Sequence, residues 1–318
     1  MKKILVICGP TATGKTALAL SLAKIFDGEV ISADSRQVYI GMDIGTGKDL
    51  PNNARKFKDH YEISGIKLWG YDLVDARAPF SVAQYVTFAK KTIKKIINRG
   101  HIPILVGGTG LYIKGVIDGI ETAYIPRNIE LRKNLVGRAV SELFESLAQL
   151  DPIKAASLNA SDKLNPRRLV RAIEVSQWEL NRGRIKKGKE NKFDTLFIGL
   201  TAPKETLFAS IDKRVKARIK QGFVKEVKKL LKADIDWEFQ SMSSLGYRQL
   251  REYFEGRLNL ADALDLWGRE EKQYVKRQLT WWKHDQRINW FNITGTKWPE
   301  KVEKMVKIWY STYDAKKN

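Results

Sequence analysis

Short, largely apolar runs recur in the first third of the chain: Ile4-Leu5-Val6-Ile7-Cys8, Glu29-Val30-Ile31-Ser32-Ala33 and Ile102-Pro103-Ile104-Leu105-Val106. Short runs rich in β-branched residues read as strands covered on both faces of a parallel sheet. Between them the spacing turns helical, at 15–26 and from Ser81 to about Asn98, with Ser81 as N-cap and Gly100 as stop. Strands alternating with helices predict a doubly wound α/β sheet. Residues 45–75 show neither period and read as irregular. From about 118 strand patterns vanish, and helical spacing takes over at 130–136, 141–150 and 169–180. This predicts a helical insertion, 118–193, within a core made of 1–117 and 194–318. The core resumes with a strand at 195–200, helices at about 204–232, 243–255 and 260–283, and a last strand at 287–293.

The turn after the first strand carries the most chemistry. Gly9-Pro10-Thr11-Ala12-Thr13-Gly14-Lys15-Thr16 has the spacing G-x-x-x-x-G-K-[ST] of a phosphate-binding P-loop, in its strand–loop–helix setting. Backbone N–H groups and the helix N-terminus would cradle phosphate oxygens. Lys15 supplies a positive charge and Thr16 a hydroxyl for Mg²⁺. The expected fold is therefore a P-loop doubly wound parallel sheet with a helical insertion domain. Ligands of such sheets sit outside the carboxyl ends of the strands, which gathers the P-loop, Asp34 and Thr109 around one crevice. An ordinary P-loop ATPase also has a strand ending in Asp. The third apolar run instead ends Val106-Gly107-Gly108-Thr109, without an acid. A carboxylate base beside a phosphate cradle suits a small-molecule kinase, or a reaction in which pyrophosphate leaves and carbon is transferred.

Composition narrows the partners. A formal charge of +21 favours a polyanionic partner, although lysine-rich usage alone would also produce it. One cysteine excludes an internal disulfide framework and any Cys-based zinc finger. Met1-Lys2-Lys3 and five apolar residues are too short for a signal peptide, and no apolar run approaches the ~20 residues of a membrane span. A cytoplasmic protein is expected.

Several motifs in order are less generic. Gly9–Thr16, Asp34-Ser35-Arg36-Gln37-Val38-Tyr39, Gly41-Met42-Asp43-Ile44-Gly45-Thr46-Gly47-Lys48, and Val106-Gly107-Gly108-Thr109-Gly110-Leu111-Tyr112 come first. Arg168-Leu169-Val170-Arg171-Ala172-Ile173-Glu174-Val175, Leu245-Gly246-Tyr247-Arg248-Gln249 and Lys276-Arg277-Gln278-Leu279-Thr280-Trp281 follow. Together they resemble the tRNA dimethylallyltransferase family over roughly residues 4–295.

The resemblance implies transfer of the dimethylallyl group of dimethylallyl diphosphate to N6 of the adenosine 3′ to a tRNA anticodon. The P-loop, residues 9–16, would then hold a diphosphate. Asp34 matches the general base, and Thr109 the residue that hydrogen-bonds the bridging oxygen of the leaving group. Lys15, Thr16 with Mg²⁺, and Arg214 would neutralise leaving-group charge. Asp34-Ser35-Arg36-Gln37, Thr109, and Arg167-Arg168-Leu169-Val170-Arg171 match segments that touch tRNA. The insertion, with the basic stretch Arg184–Lys189, would grip the anticodon stem-loop, and the protein would act as a monomer.

The chain also departs from the family pattern. Ser210 stands where a second arginine is common, so that Arg218 offers substitute charge. Asn165 and Arg167 replace an Asp and a Gln, Gly47 replaces an alanine, and Gly70–Asp75 lacks a histidine. Competing readings are an adenylate-type isopentenyltransferase, a small-molecule kinase and an RNA-binding protein without activity. The basic insertion speaks against the first. An intact Lys15, Asp34 and Thr109 set speaks against the last.

Overall fold

The computed structural model describes residues 2–183 and 193–311. It contains one eight-stranded sheet, built from β1 (Lys3–Cys8), β2 (Gly28–Ser32), β3 (Arg55–Lys56), β4 (Tyr61–Ile63), β5 (Ile66–Trp69), β6 (Ile102–Val106), β7 (Asp194–Thr201) and β8 (Ile288–Asn292). The order is β3-β4-β5-β2-β6-β1-β7-β8. The six strands from β5 to β8 pair in parallel, and β3 and β4 add an antiparallel edge.

The apolar runs are buried for the reason their continuity suggested. In β1, Ile4, Val6 and Cys8 enter one core, while Leu5 and Ile7 enter the other. Helices α1 (Lys15–Ile25), α2 (Val82–Asn98) and α3 (Gly110–Ile117) follow the strands. Ser81 caps α2 in a capping box with Gln84.

Two expectations about the larger unit need correction. Residues 45–75 are not wholly irregular, because β3, β4 and β5 lie there. These strands are two to four residues long, too short to display a period, and β5 is held by parallel pairing to β2. The predicted helix 204–232 is two helices, α9 (Lys204–Lys220) and α10 (Phe223–Lys232). The break falls at Gly222, whose φ of +98° no helical residue adopts. The remaining helices of this unit are α11 (Tyr247–Phe254), α12 (Leu260–Trp282) and α13 (Trp298–Ser311). Helix α13 follows the last predicted element and buries Val302 and Val306 against the β1 face that holds Leu5.

The Gly70–Asp75 segment has a structural role. Asp72 accepts hydrogen bonds from the Tyr61 hydroxyl and Lys56 Nζ, each at 2.5 Å, and pairs with Lys48. Burial pushes its carboxyl up, but the bonds from Lys48, Lys56 and Tyr61 outweigh burial and hold it below the usual carboxylate range. Asp72 therefore ties the edge strands to Lys48.

The chain divides into two compact units, Met1–Ile117 with Asn191–Asn318, and Asp118–Glu190. The second unit holds α4 (Ile129–Leu135), α5 (Val140–Leu150), α6 (Pro152–Ser157), α7 (Ala160–Lys163) and α8 (Pro166–Arg182). Its core is Leu135, Leu143, Leu147, Ala155, Leu169, Ala172 and Ile173. Among the described residues, no helix is long and apolar enough to cross a membrane.

Candidate active site

The P-loop leaves β1 at Gly9, where the backbone passes so close to Leu200 that a Cβ would collide with its carbonyl. Gly14, at φ +76°, begins α1. The loop is braced internally, with Thr13 Oγ1 donating to the Pro10 carbonyl at 2.9 Å. Lys15 Nζ donates to the same carbonyl at 2.5 Å. Burial and then Arg214 lower the Lys15 ammonium to about 8, against a partial lift from Asp34. The loop thus presents an incompletely compensated cation to its pocket.

The pocket has a volume of about 750 Å³. From the P-loop, Thr11, Ala12, Gly14, Lys15 and Thr16 line it, while Gly9, Pro10 and Thr13 are not part of the lining. Asp34, Ser35, Arg36 and Gln37 line it from the end of β2. The Arg36 N–H donates to Asp34 Oδ1 at 2.8 Å, which fixes the carboxylate in a local turn. The end of β6 is stitched to the end of β2. Thr109 N–H donates to the Ala33 carbonyl at 3.2 Å, and Ser35 N–H donates to Thr109 Oγ1 at 3.1 Å. Thr109 therefore braces Ser35, and unlike Gly107 and Gly108 it is not part of the pocket lining. The Arg36 guanidinium donates to the Gln240 carbonyl at 3.0 Å. Gln37 donates to the Gly47 carbonyl at 2.8 Å and accepts from Ser32 Oγ at 2.8 Å.

The opposite wall comes from α9 and α12. Arg214 Nη1 donates to Thr11 Oγ1 at 2.6 Å, and Nη2 lies 3.5 Å from Glu271 Oε2. The structure thus joins Arg214 to the P-loop, although the two are about two hundred residues apart in sequence.

Three residues of α12 had no expected role. Gln278 accepts from Thr11 N–H at 2.9 Å and donates to the Gly108 carbonyl at 3.1 Å, bridging the P-loop to the glycine turn. Tyr274 lines the pocket. Burial, and secondarily Asp34, push its hydroxyl up to about 12, so it stays protonated. Glu271 is the carboxylate that Arg214 and Arg218 face. Their i, i+3, i+7 spacing on a polar helix was the available signal.

The expected RNA-contact residues of the smaller unit separate. Arg167 and Arg168 are exposed, with Arg168 ion-paired to Asp162. Val170 is partly buried against the unit's core. Leu169 is corrected to a core residue, because its side chain is fully enclosed. Arg171 is largely committed within the unit. It donates to the Thr122 and Ile125 carbonyls at 2.6 and 3.0 Å and pairs with Glu174. Burial raises the Glu174 carboxyl, but Arg132, Arg171 and the Asn128 N–H overcome this and hold it at about 2. The stretch Arg184–Lys189 lies outside the described residues. At the end of α12, Trp282 is buried and Trp281 is 42% exposed.

Comparison with known proteins agrees with this geometry. The IPP transferase family model matches residues 37–285, and the isopentenyl transferase model matches residues 2–66. A tRNA dimethylallyltransferase from Halothermothrix orenii is 40% identical over 299 residues, covering 92% of this chain and 88% of the relative. One from Anoxybacillus flavithermus is 36% identical over 302 residues, covering 92% and 91%. The crystal structure of the tRNA isopentenylpyrophosphate transferase from Bacillus halodurans superposes with a TM-score of 0.73 at 32% identity, covering 100% of this chain and 99% of that one. A eukaryotic dimethylallyltransferase solved acting on tRNA gives 0.73 at 26% identity, covering 92% of this chain and 74% of that one. The chain belongs to the tRNA dimethylallyltransferase, or IPP transferase, family.

Proposed function

We propose that this protein transfers the dimethylallyl group of dimethylallyl diphosphate to N6 of the adenosine 3′-adjacent to the anticodon in tRNA, releasing diphosphate. The observation that carries the reading is the shared pocket of a phosphate cradle and a fixed carboxylate. Thr11, Lys15 and Arg214 converge on one side, and Asp34 faces them from the end of β2. The N6–C1 bond forms as the C1–O bond breaks, and the bond's electron pair leaves with the diphosphate. The proton on N6 passes to Asp34. An exocyclic adenine amine is a poor nucleophile, so a carboxylate aimed at its proton lowers the barrier. Lys15 and Arg214 stabilise charge that grows on the departing oxygens. Thr109 is the residue proposed for the leaving-group bridge, and its hydroxyl lies 3.1 Å from the N–H of the pocket-lining Ser35.

Mg²⁺ fits this site. Among the described residues no cluster of three or more His, Cys, Asp or Glu could hold a metal. Thr16 and Asp34 line the pocket, and Mg²⁺ ordinarily keeps several waters and binds through substrate phosphates. Thr16 would hold it, and the bound ion would offset diphosphate charge.

The target base must leave its stack to enter such a pocket. Ser35, Arg36 and Gln37 line the entrance expected for it, and exposed Arg167 and Arg168 supply phosphate contacts in the smaller unit. The same reading makes the protein a cytoplasmic monomer that works on anticodon stem-loops.

The test offers labelled dimethylallyl diphosphate with Mg²⁺ and either tRNA or AMP, with ATP turnover followed in parallel. Label is expected on tRNA alone. Label on AMP alone, or ATP hydrolysis with unlabelled tRNA, would overturn the reading in favour of an adenylate-type enzyme or a kinase.

A further inference from the structure

Arg218 lies one helical turn after Arg214 on α9 and lines the same pocket, yet only 4% of its surface is exposed. Its Nη1 donates to the Gly45 carbonyl at 2.8 Å. Its Nε is buried and has no hydrogen-bond partner. The nearest carboxylate oxygen, Glu271 Oε1, is 3.9 Å away and already accepts from Trp267 Nε1 at 3.1 Å. The other oxygen of Glu271 faces Arg214. Within 4 Å one carboxylate thus serves two guanidinium groups, and Arg218 has the weaker share, with Asp49 acting on it from further off. Burial and then Arg214 lower its guanidinium to about 10, so it remains a cation at neutral pH. A buried cation without a close counter-ion is costly unless an anion arrives to meet it.

Gly47 explains how this side chain fits. A Cβ at position 47 would strike Arg218 Nη2, and the φ of +64° is one that side chains disfavour. The pocket-facing guanidinium therefore occupies space that exists because residue 47 is glycine. Loop 43–47 is otherwise immobilised around it. Glu226 accepts the N–H groups of Asp43, Ile44 and Gly45 at 2.7–3.0 Å, and Gln37 holds the Gly47 carbonyl. The wall is preformed, and its excess charge faces the pocket.

We infer that Arg218, admitted by Gly47, is a second guanidinium of the anion site and contacts the diphosphate together with Arg214 and Lys15. This rests on the diphosphate reading of the pocket. An isolated staple for loop 43–47 would need only the Gly45 carbonyl. It would not need a cation left short of counter-charge beside two others.

The test measures binding of inorganic pyrophosphate with Mg²⁺ by calorimetry, and the KM for dimethylallyl diphosphate, in Arg218→Met, Gly47→Ala and the double variant. Arg218→Met keeps an unbranched stem and removes the charge, together with the guanidinium's approach to the Trp267 ring at 5.9 Å. It should weaken pyrophosphate about ten- to a hundredfold, the span of a charge-assisted contact, and raise KM in parallel. The ligand-free variant should melt at the same temperature as the wild type or higher. Gly47→Ala should weaken pyrophosphate by displacing the guanidinium, and the double variant should bind no worse than Arg218→Met alone. Unchanged pyrophosphate affinity in Arg218→Met, with a lower melting temperature, would show a staple and overturn the inference. Additive losses in the double variant would also overturn it. A wild-type protein that binds no pyrophosphate overturns the diphosphate reading itself, and this inference with it.

Discussion

The two walls of the pocket are made differently. One consists of strand-end loops: the P-loop after β1, Asp34 to Gln37 after β2 and the glycine turn after β6. Each is placed by a neighbouring strand, and main-chain bonds such as Thr109 N–H to the Ala33 carbonyl hold them together. The other consists of side chains on α9 and α12, namely Arg214, Arg218, Glu271, Tyr274 and Gln278. These reach the first wall only by crossing between distant segments, as Arg214 does to Thr11 and Gln278 does to Thr11 and Gly108. The strand-end wall carries the acceptor's base and the phosphate cradle. The helical wall brings two guanidinium groups and the braces. Chemistry and charge therefore depend on different parts of the chain, and substitutions can separate them.

The largest effect should come from the strand-end wall. Asp34→Ala should lower kcat by ~10²–10⁴, the usual value of general-base help, with little change in pyrophosphate affinity. Steady-state rates together with calorimetry check both halves, and a variant as fast as the wild type would remove Asp34 from the chemistry. Lys15 sits where the two walls meet. Because folding lowers its ammonium from 10.5 to about 8, the unfolded chain holds this proton more tightly. The resulting destabilisation grows as pH falls from about 10.5 to 8 and is complete below 8. Lys15→Met should therefore raise the stability of the ligand-free protein at pH 7 by about 1–3 kcal/mol, while removing stabilisation by pyrophosphate. In the wild type, kcat/KM for dimethylallyl diphosphate should fall as pH rises through about 8, because the free enzyme then loses the ammonium that meets the phosphates. Thermal melts with and without pyrophosphate, and a pH profile, check these outcomes. A Lys15→Met protein that still gains stability from pyrophosphate would contradict them.

The smallest of these effects belongs to the helical brace. Gln278→Ala leaves Asp34 and Lys15 untouched but frees the Thr11 N–H and the Gly108 carbonyl. At about 1 kcal/mol for each hydrogen bond, KM for the diphosphate should rise roughly five- to thirtyfold, with kcat falling less. An equal fall in kcat alone would place Gln278 in the chemical step and not in the frame.

The same division explains what was legible in the sequence. The P-loop spacing, Asp34 at the end of β2 and Thr109 at the end of β6 follow from local order: apolar run, turn, helix. The sheet rule then gathers them without any long-range information. The spacing of Gln278 and Tyr274 puts them on one helix face with Glu271, but their partners are known only once α12 lies across the P-loop. The edge strands stayed hidden because Tyr61–Ile63 and Ile66–Trp69 are too short to show alternation and depend on pairing to β2. Leu169 was misread for a related reason. It sits in a basic motif, but helical geometry turns it inward among Leu143, Leu147 and Ile173.

The most direct test follows both ends of the donor. Dimethylallyl diphosphate labelled in its carbon chain and in its phosphorus is incubated with tRNA, Mg²⁺ and the protein, and the tRNA is digested to nucleosides. Carbon label should appear on N6 of a single adenosine, matched one for one by phosphorus label in free diphosphate. Phosphorus label on the acceptor, or carbon label released as the free alcohol while the tRNA stays unlabelled, would contradict carbon transfer from this pocket.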